Sequence, residues 1–118
     1  MQIKNSVFII TGGASGIGLG CVQNFIGAGA NIIIADLNSK QGERASQETG
    51  ASFVQTNVTD EKSAQSAIDT AWKKFGNLHG VINCAGIAIA DKVINKEGNL
   101  HSLESFRKVI DVNLTGTF

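Results

Sequence analysis

A glycine-rich segment between residues 11 and 18 carries the strongest chemical signal in this sequence. It reads Thr-Gly-Gly-Ala-Ser-Gly-Ile-Gly, follows the apolar residues 7–10 and precedes apolar residues at helical spacing. This order predicts a strand, a tight turn and the start of a helix, where backbone N–H groups and the positive helix end converge. Missing Cβ atoms let a pyrophosphate come close, so the segment is predicted to hold phosphate. Its glycines fall at G-x-x-x-G-x-G rather than at the G-x-G-x-x-G of the general dinucleotide fingerprint.

A carboxylate, Asp36, ends the second predicted strand, which covers Asn31–Asp36. From that position it can accept hydrogen bonds from both hydroxyls of an adenosine ribose, and it would repel a 2′-phosphate. Ser15 in the glycine segment is neutral, whereas a 2′-phosphate favours a basic residue there. NAD is therefore the predicted cofactor. The alternative is that Asp36 or Asn38 only caps the following helix.

Polar and small residues also end the third and fourth predicted strands. Asn57, followed by Val58, can read the adenine amino group with its side-chain carbonyl, or it can form an Asx turn or a helix cap. The fourth strand leads into small residues that allow a cofactor to approach closely, although they also suit an ordinary turn: Asn83, Cys84, Ala85 and Gly86. Because ligands bind at the carboxyl edge of parallel sheets, these groups are expected to share one site with the glycine segment.

The elements that must position these residues alternate between strands and helices. Strands are predicted at 6–11, 31–36, 52–58 and 78–84, and helices from the glycine segment to about 28, at 39–49, at 60–75 and from 102 onward. This alternation predicts an α/β fold, a Rossmann-like doubly wound parallel sheet of about four strands with flanking helices. Residues 1–118 are predicted to form a single domain. Its last helix has no stop signal and is expected to be truncated at Phe118.

Composition and charge exclude several classes of function. Ten basic and ten acidic residues give a formal net charge of zero, and no basic patch indicates a nucleic-acid partner. The apolar runs are too short to cross a membrane, and the early first strand leaves no room for a targeting peptide, so a cytoplasmic protein is expected. Cys21 and Cys84 lack metal-ligand spacing and are predicted to be small buried hydrophobes, with no metal site. His79 and His101 are expected to have surface or capping roles.

Taken in order, five motifs resemble the N-terminal, cofactor-binding half of the classical short-chain dehydrogenases/reductases. They are Thr11-Gly12 with Gly16-Ile17-Gly18, then Asp36, Asn57-Val58, Asn83-Cys84-Ala85-Gly86, and Val112-Asn113-Leu114. The stretch 83–118, with the loop that contains Asn95-Lys96-Glu97-Gly98, is similar to the type 2 3-hydroxyacyl-CoA dehydrogenases within that family.

The resemblance implies a role for each matching residue. Pyrophosphate would be held by Gly12, Ser15, Gly16, Ile17 and Gly18. Asp36, with Leu37 beside it, would select NAD, and Asn57-Val58 would contact adenine in place of the usual Asp-Val pair. The segment Asn83, Cys84, Ala85 and Gly86 would line the adenosine and ribose site.

In the family, an Asn, a Ser, a Tyr and a Lys carry out the chemistry, and Asn113 matches the Asn that holds a water on the proton relay. The alternative for Asn113 is a helical Asn bonded to neighbouring backbone. The sequence contains no tyrosine, so the Y-x-x-x-K motif is absent and these residues alone are expected to be inactive. The resemblance implies an NAD-dependent oxidoreductase that interconverts a secondary alcohol and a ketone, with a small-molecule substrate such as a 3-hydroxyacyl-CoA.

Two alternatives remain open. One is a non-catalytic dinucleotide-binding or assembly module. The fourth strand would expose a parallel edge, so a homo-oligomer is expected in particular if the 118 residues are the whole molecule. The other is an S-adenosylmethionine-binding domain of similar topology, in which the matches at 83–86 and Asn113 would be coincidences.

Overall fold

The first strand, β1 (Val7–Thr11), is buried along its whole length at the interior of a parallel sheet. The computed structural model describes residues 2–118. The other strands are β2 (Asn31–Asp36), β3 (Ser52–Gln55) and β4 (Gly80–Asn83), and the order across the sheet is β3-β2-β1-β4. All pairs are parallel. The chain reverses direction across the sheet between β3 and β4, which opens a crevice at the carboxyl ends of β1 and β4.

Helices cover both faces of the sheet, as the nearly continuous apolar runs of β1 and β2 require. The four helices are α1 (Gly16–Gly27), α2 (Ser39–Thr49), α3 (Glu61–Phe75) and α4 (Leu103–Asn113). The predicted α/β fold, with about four parallel strands and flanking helices, is confirmed. None of the helices in residues 2–118 is long and apolar enough to cross a membrane.

Alternate residues of each central strand enter two separate apolar clusters. Ile10 and Ile34 pack with Val22 of α1 and Ala45 of α2 on one face. Ile9, Ile33 and Ala35 pack with Ala67 and Ala71 of α3 on the other face. The period-two alternation of a strand therefore builds both cores from the same short segments.

The predicted third strand, residues 52–58, is too long, because β3 ends at Gln55. Asn57 Oδ1 accepts hydrogen bonds from the backbone N–H and the hydroxyl of Thr59 at 3.0 and 2.8 Å, which forms an Asx turn. Asp60 then caps α3 by accepting from Ser63 N. Local side-chain bonds thus turn the chain out of the sheet earlier than the apolar pattern indicates.

The predicted fourth strand, residues 78–84, is also too long, because β4 covers only Gly80–Asn83. Ahead of it, His79 Nδ1 accepts the backbone N–H of Val7 at 2.9 Å, and His79 N donates to Val7 O at 2.8 Å. His79 therefore caps the buried start of β1, one of the two roles expected for it.

The last helix does not continue to Phe118 as predicted. α4 ends at Asn113, and Thr115–Thr117 forms a 3-10 turn. The hydroxyl of Thr117 bonds to the carbonyl of Asn113 at 2.9 Å, and Gly116 lies so close to Val58 that a Cβ there would come within 2.7 Å of its methyl group. These side-chain and packing contacts compete with the regular α-helical ladder and tighten the final turn.

Candidate functional site

The turn between β1 and α1 is packed tightly against the chain that leaves β4. Gly12 N donates to Ala35 O at 2.8 Å, and Gly12 has φ +63°. A Cβ on Gly12 would lie 2.8 Å from Ala85 N, and one on Gly18 would collide with the carbonyl of Gly12. A residue with a Cβ fits neither position, and at Gly12 the positive φ also favours glycine. The glycines therefore bring the turn, β2 and the β4 loop together at one point.

The hydroxyl of Thr11 helps to hold this junction. Its Oγ1 accepts hydrogen bonds from both Cys84 N and Ala85 N at 3.1 Å. The side chain of Thr11 is buried. The apolar strand pattern gives no sign of this role, since the partners lie more than seventy residues away in the sequence.

The N-terminus of α1 is open, unlike those of the other helices. Within residues 2–118, Ser15 at the N-cap makes no side-chain hydrogen bond to its helix, and the first turn carries no acidic residue. The other three helices are capped by the side chains of Asn38, Asp60 and Ser102. The first helical bond of α1 runs from Leu19 N to Ser15 O, so the N–H groups at positions 16–18 have no partner within the helix. Together with the helix dipole they form a site for an anion.

Asp36 faces the same space with a fixed carboxylate. Its Oδ2 accepts from Ala14 N at 3.0 Å, and its Oδ1 accepts from Asn38 N at 2.9 Å. Asp36 does not cap α2. The N-cap is Asn38, whose Oδ1 accepts a hydrogen bond from Gln41 N at 3.0 Å. Since a carboxylate has about four lone-pair sites, Asp36 keeps acceptor capacity toward the cleft. The two backbone hydrogen bonds fix the position of the carboxylate and leave lone pairs on both oxygens for a ligand.

A cleft of about 460 Å³ lies between the glycine turn, the ends of β2 and β3, and the loop after β4. The predicted cofactor residues that line it are Gly12, Ser15, Gly16, Ile17, Gly18, Asp36, Leu37, Asn57, Val58, Cys84, Ala85 and Gly86. It is also lined by Ala35, Thr56, Ile87, Lys108 and Val112, which were not predicted from the sequence. Ala35 and Thr56 directly precede predicted residues, and Ile87 directly follows one. Lys108 and Val112 share a helix face four residues apart, which is the one pattern that could have indicated them.

Asn83 is the one predicted cofactor residue that does not line this cleft. It lies on the opposite face of β4, in an apolar cleft of about 250 Å³ with Ile9, Ile68 and Val81. Its Nδ2 donates to Thr117 O at 3.4 Å. Because successive strand residues face opposite sides of a sheet, Cys84 points into the cofactor-sized cleft and Asn83 points away from it.

Asn113 clamps α4 to the loop after β4. Its Oδ1 accepts from Ile87 N at 2.9 Å, and its Nδ2 donates to Ile87 O at 2.8 Å. Its side chain therefore bonds to backbone twenty-six positions away, rather than to its own helix. The clamp brings Val112 and Lys108 to the wall of the cleft, and Asn113 itself stands behind that wall.

Cys84 contributes a neutral, half-buried thiol to the wall. Burial raises its pKa, and the neighbouring Cys21 raises it further. The thiol is therefore protonated near neutral pH and acts as a small apolar surface. Both cysteines are half-buried rather than fully buried. Within residues 2–118, no group of three or more His, Cys, Asp or Glu side chains could hold a metal ion.

A family model described as short chain dehydrogenase matches residues 6–118 of this chain. The chain belongs to the short-chain dehydrogenase family. Human (Homo sapiens) 3-hydroxyacyl-CoA dehydrogenase type-2 is 44% identical over 120 residues, which cover 99% of this chain and 46% of that protein. The Drosophila melanogaster protein of the same name is also 44% identical, over 99% of this chain and 47% of its own length.

A solved short-chain dehydrogenase relative has the same fold. The crystal structure of 3-ketoacyl-(acyl-carrier-protein) reductase from Brucella melitensis, complexed with NADH, matches with a TM-score of 0.88 and 32% sequence identity. The match covers 98% of this chain and 47% of that one. The chain thus spans about half the length of the relatives that it matches. The family predicted from the motifs is confirmed.

Proposed function

We propose that the cleft binds NAD, as the cofactor-binding portion of an enzyme that interconverts a secondary alcohol and a ketone. The observation that carries this proposal is the open N-terminus of α1 facing the same cleft as the carboxylate of Asp36. An anion site and a diol acceptor in one crevice suit the pyrophosphate and ribose of a dinucleotide. The NADH in the Brucella melitensis neighbour supports the same cofactor class.

Each wall of the cleft has a proposed part in holding the cofactor. The N–H groups of Gly16, Ile17 and Gly18 would hold the pyrophosphate, with Gly12 and Ser15 shaping the turn. Asp36 would accept the ribose hydroxyls and disfavour a 2′-phosphate, so NAD is proposed over NADP.

The remaining walls would enclose the adenosine. The adenine would lie among Leu37, Asn57 and Val58, and Cys84, Ala85 and Gly86 would allow the ribose to approach closely. The Asx turn leaves Asn57 Oδ1 already shared with Thr59, so an adenine contact there would be weak. Any contribution of Asn83 would come from its backbone, because its side chain faces the other cleft.

The proposed substrate class is a 3-hydroxyacyl-CoA, supported by the names of the relatives that are 44% identical. Bound NAD supplies the hydride acceptor for oxidation of a secondary alcohol. Proton exchange with the substrate oxygen needs an acid–base group, and the family's tyrosine has no counterpart in these residues, since the sequence contains no tyrosine. We therefore propose that the 118 residues bind the cofactor without turnover. Asn113 would position the wall of the cleft.

A matched pair of glycine variants tests the binding site. Gly16 has φ +52° and Gly50 has φ +80°, and an added Cβ would meet nothing within 4 Å at either position. Both Gly→Ala substitutions cost about 1–2 kcal/mol of backbone strain. Only the Gly16→Ala methyl group would stand where the pyrophosphate is proposed to lie. In calorimetric titrations, we expect Gly16→Ala to weaken NAD binding by roughly tenfold or more, and Gly50→Ala to stay within about twofold of wild type. Equal losses in the two variants would contradict the proposed site.

Self-association is a second proposed property, favoured by one observation. Phe106 and Ile110 on α4, together with Leu114 directly after the helix, form an apolar stripe that is exposed to solvent. Val81 on the edge strand β4 is also about half exposed. Exposed apolar faces such as the α4 stripe are typical of protein–protein contacts, so we propose that the chain forms a homo-oligomer through α4.

A further inference from the structure

Two charged side chains line the cleft, and they have opposite signs. Among the described lining residues, Asp36 is the anion and Lys108 the cation. Lys108 also lines the adjoining outer cleft of about 470 Å³, together with Leu37 and Asn57. Since Leu37 and Asn57 line both clefts, Lys108 lies at the end of the site proposed for adenosine.

The fold holds Lys108 at this position through the last turn of α4. The two hydrogen bonds between Asn113 and Ile87 fix the end of the helix to the β4 loop. Val112 lines the cleft next to the clamp, and Lys108 lies four residues before it on the same helix face. Within residues 2–118, the ion pairs closer than 4 Å are Arg44–Glu48 and His101–Asp91. Among these residues, Lys108 Nζ therefore has no carboxylate oxygen within that distance.

The negative charge of a dinucleotide is the reason why a cation in this cleft would favour binding. Each phosphate of a dinucleotide carries negative charge, yet the glycine segment 11–18 contains no lysine or arginine. The carboxylate of Asp36 adds a further negative charge to the same crevice. Without Lys108, an anionic cofactor would enter a cleft whose side chains carry net negative charge. Backbone N–H groups would then have to offset the repulsion alone.

We propose that Lys108 is a cofactor-binding residue, whose ammonium group lies over the adenosine half of the dinucleotide and offsets the charge of Asp36. This inference rests on the proposed function of the cleft. A lysine ammonium can interact with an aromatic ring face and with nearby phosphate oxygens, and its flexible stem allows it to close over a bound ligand. The position of α4, which carries Lys108, would thus directly affect the affinity for the cofactor.

The test compares two neighbouring cations on α4. Lys108→Gln and Arg107→Gln each remove one positive charge, but Arg107 lines only the outer cleft. NAD and ADP-ribose are titrated into the wild type and each variant by calorimetry, at low and at high salt. We expect Lys108→Gln to weaken both ligands roughly threefold to tenfold at low salt, with a smaller loss at high salt. Arg107→Gln should stay within about twofold of wild type, and Lys108→Arg should retain most of the affinity.

The outcomes separate this inference from the function on which it rests. If the wild type binds NAD and ADP-ribose but Lys108→Gln behaves like Arg107→Gln, the role of Lys108 is overturned and the proposed function stands. If the loss appears with NAD but not with ADP-ribose, Lys108 does not act on the adenosine half. If the wild type binds neither ligand, the proposed function and the role of Lys108 fail together.

Discussion

The two sides of the sheet differ in how completely their apolar side chains are covered. On β1 and β2, Ile10 and Ile34 are 0% exposed. On β4 and α4, Val81 is 49% exposed and Phe106 is 55% exposed. The β1–β2 side has helices on both faces, so its core is complete. The β4–α4 side builds one wall of the cleft and leaves apolar surface to solvent. The buried core thus lies mainly on the β1–β2 side, both sides line the cleft, and the β4–α4 side carries the exposed surface that we propose for association.

The largest effect expected from this comparison is on stability. Ile34→Ala removes a fully buried side chain between α1 and α2, and we expect a loss of about 2–5 kcal/mol in the free energy of unfolding. Val81→Ala removes a half-exposed side chain from the edge strand, and its loss should stay below about 1 kcal/mol. Urea denaturation measures both values. Similar losses at the two positions would contradict the difference in packing between the β1–β2 side and the β4–α4 side.

A second prediction concerns the exposed stripe of α4. Phe106→Glu places a charge within the proposed contact, and we expect a shift toward monomer in light scattering after size exclusion. Val93→Glu is the control, because Val93 is a strongly exposed apolar residue in the loop before α4 rather than on its stripe. A wild-type chain that is already monomeric at high concentration would refute self-association. An equal shift in the two variants would place the contact elsewhere.

The features that sequence patterns predict well are local ones. The glycine turn, Asp36 at the end of β2 and the candidate cap Asn38 are each recognisable from residues a few positions away in the sequence. Their chemistry can therefore be read directly from their spacing. The order of strands and helices follows from the same short-range periodicity. This explains why the fold was predicted, and why most of the predicted cofactor residues lie in one cleft.

The features that could not be predicted depend on contacts between distant segments. Thr11 accepts hydrogen bonds from the β4 loop, and Asn113 bonds to Ile87 across twenty-six positions. Those bonds bring Lys108 to the cleft, and no local pattern contains them. Asn83 faces away from the cleft because it and Cys84 point to opposite faces of the sheet, and a shift of one position in a strand reverses the direction of a side chain.

The early end of α4 has the same kind of cause. Gly116 packs against Val58, and the Thr117 hydroxyl bonds to the Asn113 carbonyl. The first of these contacts joins the end of the chain to the segment after β3, so the apolar spacing of the helix could not indicate it. Tertiary packing thus overrides the helical pattern in the final turn.

We propose that the cleft is an NAD site whose selectivity comes from Asp36. The most direct measurement is a calorimetric titration of the wild-type chain with NAD and with NADP, repeated with Asp36→Asn. Asparagine keeps the size of the side chain but removes its charge. We predict that the wild type binds NAD at least about tenfold more tightly than NADP, and that this ratio falls in Asp36→Asn because the repulsion of the 2′-phosphate is lost. Equal affinity for the two cofactors, or no binding of either, would contradict the claim.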